Sequence, residues 1–300
     1  MNKILNFGSL NIDYVYKLDH IVRKGETITS TALNVYSGGK GLNQSVALGK
    51  AGLRTFHAGQ IGTDGMFLLD VLKKANVDVS HVRVNDMVRT GNALIQNDKD
   101  GDNCIILYPG ANRAITKDLV DSVLADFGKG DYLVLQNEIN CLGLIINKAY
   151  EKGMTIVLNP SPMDDHLKEV DLSKVDWFLL NEVEAAQLTG ADPFRVDELS
   201  DALRMKFPNA KIVLTLGGSG SRYLDRDQVI SQDAFRVKAV DTTAAGDTFT
   251  GFFLSGIISG RSVKEALQLA SRAAAIAVSR PGAAPSIPTM DEVLEAEKQG

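Results

Sequence analysis

Four short, almost purely apolar runs, Tyr132–Gln136, Thr155–Asn159, Trp177–Asn181 and Ile212–Leu216, follow one another along the chain, with helix-patterned segments such as Gly143–Lys152 and Glu182–Leu188 between them. A strand without polar alternation is apolar on both faces, so a sheet of such strands must be covered on both sides. The intervening helices supply that cover, and their crossovers make the strands parallel. The pattern predicts an α/β fold with a mostly parallel central sheet between two helical layers. Ile4–Gly8 and Thr55–Ile61 read as further strands. Asn43–Ala51 and Asp64–Ala75 read as helices, the latter with Met66, Leu69 and Leu72 at helical spacing.

Four other segments behave differently. Ile12–Leu18, Ile28–Val35, Gly91–Asn97 and Asn103–Tyr108 alternate polar and apolar residues, as half-exposed antiparallel strands do. Asp98-Lys99-Asp100-Gly101 supplies a hairpin turn between the last two. Together they predict a small β-sheet lid, with strands within about residues 11–36 and 90–108. No repeat, low-complexity tract or Pro/Ser-rich linker divides the chain, so residues 1–300 read as one domain carrying this lid. Open edges and apolar residues such as Val15, Ile28, Leu33 and Ile106 need covering, and homodimerisation through the lids would cover them.

Composition narrows the function classes. A net charge of -5 without a sustained Lys/Arg run argues against a nucleic-acid surface, leaving small molecules as the expected partners. The two cysteines, Cys104 and Cys141, have neither zinc-site spacing nor the density of a disulfide framework. His20, His57, His81 and His166 are scattered, which disfavours a metal-dependent hydrolase. The first residues lack a signal-peptide pattern and no run reaches membrane-spanning length, so a cytoplasmic enzyme is expected.

The chemistry is concentrated in Asp241-Thr242-Thr243-Ala244-Ala245-Gly246-Asp247, which precedes an apolar helix containing Phe252, Phe253, Leu254, Ile257 and Ile258. Small residues at a helix start let phosphate oxygens approach the unpaired N–H groups of Ala244, Ala245 and Gly246. A carboxylate at such an anion site repels phosphate. Asp247 is therefore poorly chosen for binding alone, and well chosen for accepting the proton of a substrate hydroxyl. Taken alone, an Asp before an apolar run would be an ordinary helix cap.

A second glycine-rich stretch, Gly38-Gly39-Lys40-Gly41-Leu42-Asn43, also opens a helix. It is not a Walker A loop, since Lys40 is followed by Gly41 rather than Ser or Thr. Thr215-Leu216-Gly217-Gly218-Ser219-Gly220 lacks the dinucleotide-fingerprint spacing and lies too late in the chain for a Rossmann dehydrogenase.

These motifs, with the early Gly8-Ser9-Leu10-Asn11-Ile12-Asp13, occur in the order found in the ribokinase-like (PfkB) carbohydrate kinase family, which the chain resembles from end to end. The resemblance implies a three-layer α/β/α kinase fold with a β lid, and transfer of the ATP γ-phosphate to a primary hydroxyl of a small sugar. D-ribose going to ribose 5-phosphate leads; fructose, 2-keto-3-deoxygluconate or adenosine are alternatives, as is a non-catalytic sugar-binding protein. It implies that Asn11, Asp13, Gly39, Lys40, Asn43 and Glu138 hold the sugar and that Asp247 is the general base. A strand-end acid at the carboxyl edge of a parallel sheet supports Glu138 independently. Thr215, Gly217, Gly218, Gly220 and Ser271 are implied to line the nucleotide site, Ser271 standing where relatives often place His or Asn. Asn181 and Glu184 are implied to organise Mg²⁺ and phosphate, Glu184 through water; without the resemblance, Asn181-Glu182-Val183-Glu184 reads as a helix N-terminus. A monovalent cation, usually K⁺, is implied at Asp241, Thr243, Ala277, Arg280, Gly282 and Ser286.

Overall fold

A computed structural model describes residues 2–299. The chain begins with β1 (Ile4–Phe7), β2 (Asn11–Lys17), β3 (Ala32–Gly38), α1 (Lys40–Lys50), β4 (Thr55–Ile61), α2 (Met66–Lys74) and β5 (Asp78–Val84). It continues through β6 (Gly91–Asn97), β7 (Asn103–Tyr108), α3 (Lys117–Leu124), β8 (Tyr132–Gln136), α4 (Leu142–Glu151) and β9 (Thr155–Asn159). The last third holds β10 (Trp177–Asn181), α5 (Glu182–Thr189), α6 (Val196–Lys206), β11 (Lys211–Thr215), β12 (Ser221–Leu224), β13 (Val229–Gln232), α7 (Ala245–Ile258), α8 (Val263–Val278) and α9 (Met290–Gln299).

The large sheet has nine strands in the order β13-β12-β11-β10-β9-β8-β1-β4-β5. From β11 to β5 every pairing is parallel. Its strands divide their side chains between two cores by the period of two. Leu133 and Leu135 of β8, Phe178 and Leu180 of β10, and Ile212 and Leu214 of β11 pack toward α3, α4 and α6. Val134, Trp177, Leu179 and Val213 face the opposite way, toward α1, α2, α7 and α8. Each fully buried Leu, Ile or Phe contributes about 1.5–3 kcal/mol, which is why the unbroken apolar runs demand helices on both faces.

The structure adds strands to those expected and corrects one expectation. β5 and the antiparallel hairpin β12–β13 extend the large sheet at its two edges, where no apolar run marked a strand. The four alternating segments do form a separate small sheet, in the order β3-β2-β6-β7, but it is mixed: β2 pairs with β6 in parallel, and only β2–β3 and β6–β7 are antiparallel. Its β3 begins at Ala32, so Ile28 lies outside the strand. Alternation reports which face is buried and says nothing about the direction of the neighbouring strand. Leu33, Val35, Tyr36, Ile105, Ile106 and Leu107 of this sheet are exposed. Among the described residues no helix is long and apolar enough to cross a membrane.

Because they run parallel, β1, β8, β10 and β11 end at one edge of the large sheet. That edge delivers Ser9, Glu138, Asn181 and Gly217 to a common side, the place where open α/β sheets gather ligands.

Candidate active site

The N-terminus of α7 is built from a left-handed residue that is not glycine: Ala244 has φ 59°. Its carbonyl accepts from both the N–H and the hydroxyl of Thr248, each at 2.8 Å, which locks the turn. Ala245 N–H donates to Thr242 O at 3.2 Å, so that amide is already engaged within the turn. A Cβ added to Gly246 would meet nothing within 4 Å, leaving the backbone open to an approaching group.

Asp247, in the first turn of α7, is buried and faces α1. Its Oδ1 accepts from Gln44 Nε2 at 3.0 Å and its Oδ2 from Asn43 Nδ2 at 3.3 Å. Burial pushes its pKa above the ordinary carboxylate range, and the charge of Lys40 with these two amides opposes the rise. The result is a carboxylate with little water around it and two donors fixing its plane, as proton acceptance from an alcohol requires.

A polar pocket adjoins it. Gly39, with φ 92°, turns the chain from β3 into α1. Glu138, just past β8, accepts from the Ser9 hydroxyl and from Lys40 N–H, the latter at 2.8 Å. Burial raises its pKa; those donors and Lys40 pull down, while the charge of Asp247 adds to the rise. Asn11 and Asp13 lie two apart on β2 and so share a face. Asn112 Nδ2 donates to Asn11 Oδ1 at 2.7 Å, and Leu10 N–H donates to Asn112 Oδ1 at 3.0 Å. Burial, with Glu138 nearby, lifts Asp13 to about 6. Asn43 Oδ1 is buried without a hydrogen-bond partner in the protein, an acceptor waiting for a donor.

On the other side of Gly246 opens a cleft of about 780 Å³. Of the sequence candidates it is lined by Asn181, Thr215, Gly217, Gly218, Gly220, Ala245, Gly246 and Ser271. The segment Ala234–Val237 and the apolar residues Phe249, Ala274 and Val278 also line it and carried no recognisable signal. Glu184 is not part of the lining. It closes a capping box, Asn181 Oδ1 accepting from Glu184 N–H at 2.9 Å and Glu184 Oε2 from Asn181 N–H at 3.0 Å. The plain helix-start reading of this segment therefore describes its geometry.

The cation candidates are partly united. Asp241 Oδ1 accepts Thr243 N–H and Oδ2 accepts Gly282 N–H, both at 2.9 Å, tying the loop after α8 to the turn before α7. Burial works against the Asp241 charge, but Thr243 and Gly282 outweigh it and hold the pKa below the usual value. Ser286 is buried with its hydroxyl donated to Ala283 O. Ala277 lies inside the last turn of α8, where its carbonyl accepts Arg280 N–H, and the Arg280 guanidinium pairs with Glu292 at 2.7 Å. Gln44, Gln136 and Asn112 were missed. Gln136 carried a signal, a polar residue directly ending the apolar run Tyr132–Leu135, whereas Gln44, flanked by Asn43 and Ser45, and Asn112 carried none.

Over residues 1–290 the chain matches the family described as pfkB family carbohydrate kinase. It is 34% identical over 304 residues to a ribokinase of Haemophilus influenzae, covering 98% of each chain. It is 30% identical over 298 residues to a deoxyribokinase of Salmonella typhi, covering 96% of each. The fold superposes on the crystal structure of a ribokinase from Cryptococcus neoformans var. grubii serotype A in complex with ADP with a TM-score of 0.89 and 33% identity, covering 99% of this chain and 100% of that one.

Proposed function

The chain belongs to the pfkB family of carbohydrate kinases, and within it we propose that this phosphotransferase moves the γ-phosphate of MgATP to the primary hydroxyl of D-ribose, forming ribose 5-phosphate. The observation that carries this reading is the position of Asp247. It stands between the cleft beside Gly246 and the polar pocket of Asn11, Asp13, Asn43 and Glu138, sheltered from water and held by two amides.

In this reading Asp13, Asn11, Asn43 and Glu138 bind sugar hydroxyls, with Asn43 Oδ1 accepting one of them. The sugar CH₂OH oxygen attacks the γ-phosphorus in line while Asp247 takes its proton and the bond to the β,γ-bridging oxygen breaks to release ADP, and the open N–H groups of the first turn of α7 meet the transferring oxygens. ATP occupies the cleft lined by Thr215, Gly217, Gly218, Gly220 and Ser271. Mg²⁺ would neutralise phosphate charge. Glu184 spends Oε2 on its helix cap, which leaves Oε1 as a hard oxygen for the metal's water shell. A monovalent cation fits beside Asp241, where a carboxylate meets the turn at Gly282; both oxygens accept an N–H and keep lone pairs to spare. Its charge would stiffen the turn that presents the α7 amides. Two copies pair through the small sheets, covering exposed Leu33 and Ile106. A monodisperse monomer in light scattering at micromolar concentration would remove that part.

Identity to a deoxyribokinase makes 2-deoxyribose the second reading. A coupled ADP-release assay tests both, using MgATP with ribose, 2-deoxyribose, fructose, 2-keto-3-deoxygluconate and adenosine. Preferential turnover of ribose is the expected result. Preference for another acceptor overturns the substrate assignment, and silence across the panel from folded, ATP-binding protein overturns the kinase reading of this site.

A further inference from the structure

Behind Asp247 lies a set of buried polar side chains that touch neither the cleft nor the sugar pocket. Asn6, Gln44, Ser45, His57 and Gln136 are all fully buried. Their hydrogen bonds run in one direction, and a backbone group sets that direction. The Gly41 carbonyl can only accept, so Asn6 turns its Nδ2 toward it at 2.7 Å; the second proton of that group goes to Ser45 Oγ at 2.7 Å. Asn6 Oδ1 must then face Gln136 and accepts from its Nε2 at 3.0 Å. The other Gln136 Nε2 proton goes to Gln44 Oε1 at 2.6 Å. With its oxygen taken, Gln44 has only Nε2 to offer Asp247 Oδ1. Ser45 Oγ, which accepts from Asn6, also shares a hydrogen bond with His57 Nδ1 at 2.7 Å. Burial pushes His57 down to about 3, so the ring is neutral and closes the far end.

A core gains no stability from five buried polar side chains over apolar ones of similar volume, because each must repay its desolvation. What the chain does achieve is a defined orientation at its end. We propose that Gln44 is a positioning residue for phosphoryl transfer, its amide locked by Gly41, Asn6 and Gln136 so that an N–H and never the C=O meets Asp247. This rests on the reading of Asp247 as the base. An amide free to flip could turn its oxygen toward the carboxylate, disfavouring the ionised form that must accept the proton. The other groups facing Asp247 are Asn43 of α1, whose amide donates to Oδ2, Lys40 of α1, whose charge favours ionisation, and Glu138 past β8, whose own protonation is favoured by the charge of Asp247.

The test compares pH profiles of kcat and kcat/KM for the full chain, Gln44→Met, Gln136→Met and Asp247→Asn, with binding of ATP as the check on folding. In Gln44→Met we expect kcat to fall on the order of tenfold to a hundredfold, the loss that goes with one hydrogen bond to a charged group, with little change in sugar KM. The acid limb of kcat/KM should move up by about one pH unit. Gln136→Met, one bond further away, should move the limb the same way by less, and it carries the test should Gln44→Met not fold. A profile that is scaled down at every pH with its limb in place makes Gln44 a packing residue and overturns the proposal. If Asp247→Asn is inactive while that limb stays put, only the positioning role is lost. Near-normal turnover by Asp247→Asn removes the base reading and this proposal with it.

Discussion

Gly251 of α7 lies against Ala47 of α1 so closely that a Cβ on the glycine would fall 2.5 Å from the alanine Cβ and 2.7 Å from its carbonyl carbon. This contact sets the distance between the two helices, and one turn away the same helices bring Asp247 to Asn43 and Gln44. Gly251→Ala must push backbone against backbone. It should cost about 1–3 kcal/mol, seen as roughly 2–5 °C in Tm, and it should lower kcat more than nucleotide affinity. Unchanged kcat in a folded variant would show that the helix separation is not what holds the base.

Replacing Asp247, the proposed base, tests the chemistry without disturbing the fold. Asp247→Asn keeps the volume, and its amide can still meet Gln44 or Asn43. It should lose about 10²–10⁴ in kcat while isothermal titration still shows ATP binding.

Asp13 supplies a pH signature. Its folded-state pKa, raised from 3.8 to about 6, exceeds the unfolded value, so the native state binds the proton more tightly. Stability attributable to this group therefore falls as pH rises from about 4 to about 6. Asp13→Asn should stabilise the unliganded protein by on the order of 2–3 kcal/mol at pH 7.5 and hardly at all at pH 4, while raising the KM for sugar. Denaturant titrations at the two pH values check the first part. A gain of equal size at both would assign it to something other than the carboxylate.

Asp241 joins two loops through the N–H groups of Thr243 and Gly282. Exchange of potassium for a bulky organic cation should lower kcat in the wild type, because the α7 turn loses its stiffening charge. Asp241→Ala should be slow in either salt. If the variant responds to potassium as the wild type does, the cation binds elsewhere.

The sequence by itself determined whatever depends on short-range pattern. β8, β9 and β10 stand where unbroken apolar runs placed them, since a strand covered on both faces leaves no room for polar alternation. The Ala244–Asp247 turn and the Gly38–Gly41 turn were legible because an open anion site and a tight helix entry restrict residue type locally. β5 and β13 were not legible, for edge strands are half-solvated and take almost any residue, and β12, buried inside the sheet, spans only four residues with Ser221 and Arg222 among them. Only the tertiary structure decided that β2 and β6 run parallel, and that Gln44, Gln136 and Asn6, 130 residues apart at the extremes, share one hydrogen-bond chain behind Asp247. Direction of pairing and partnership between buried amides are properties of two distant segments at once. No window of sequence contains both ends of such a bond, whereas burial and helix capping act on each residue where it stands.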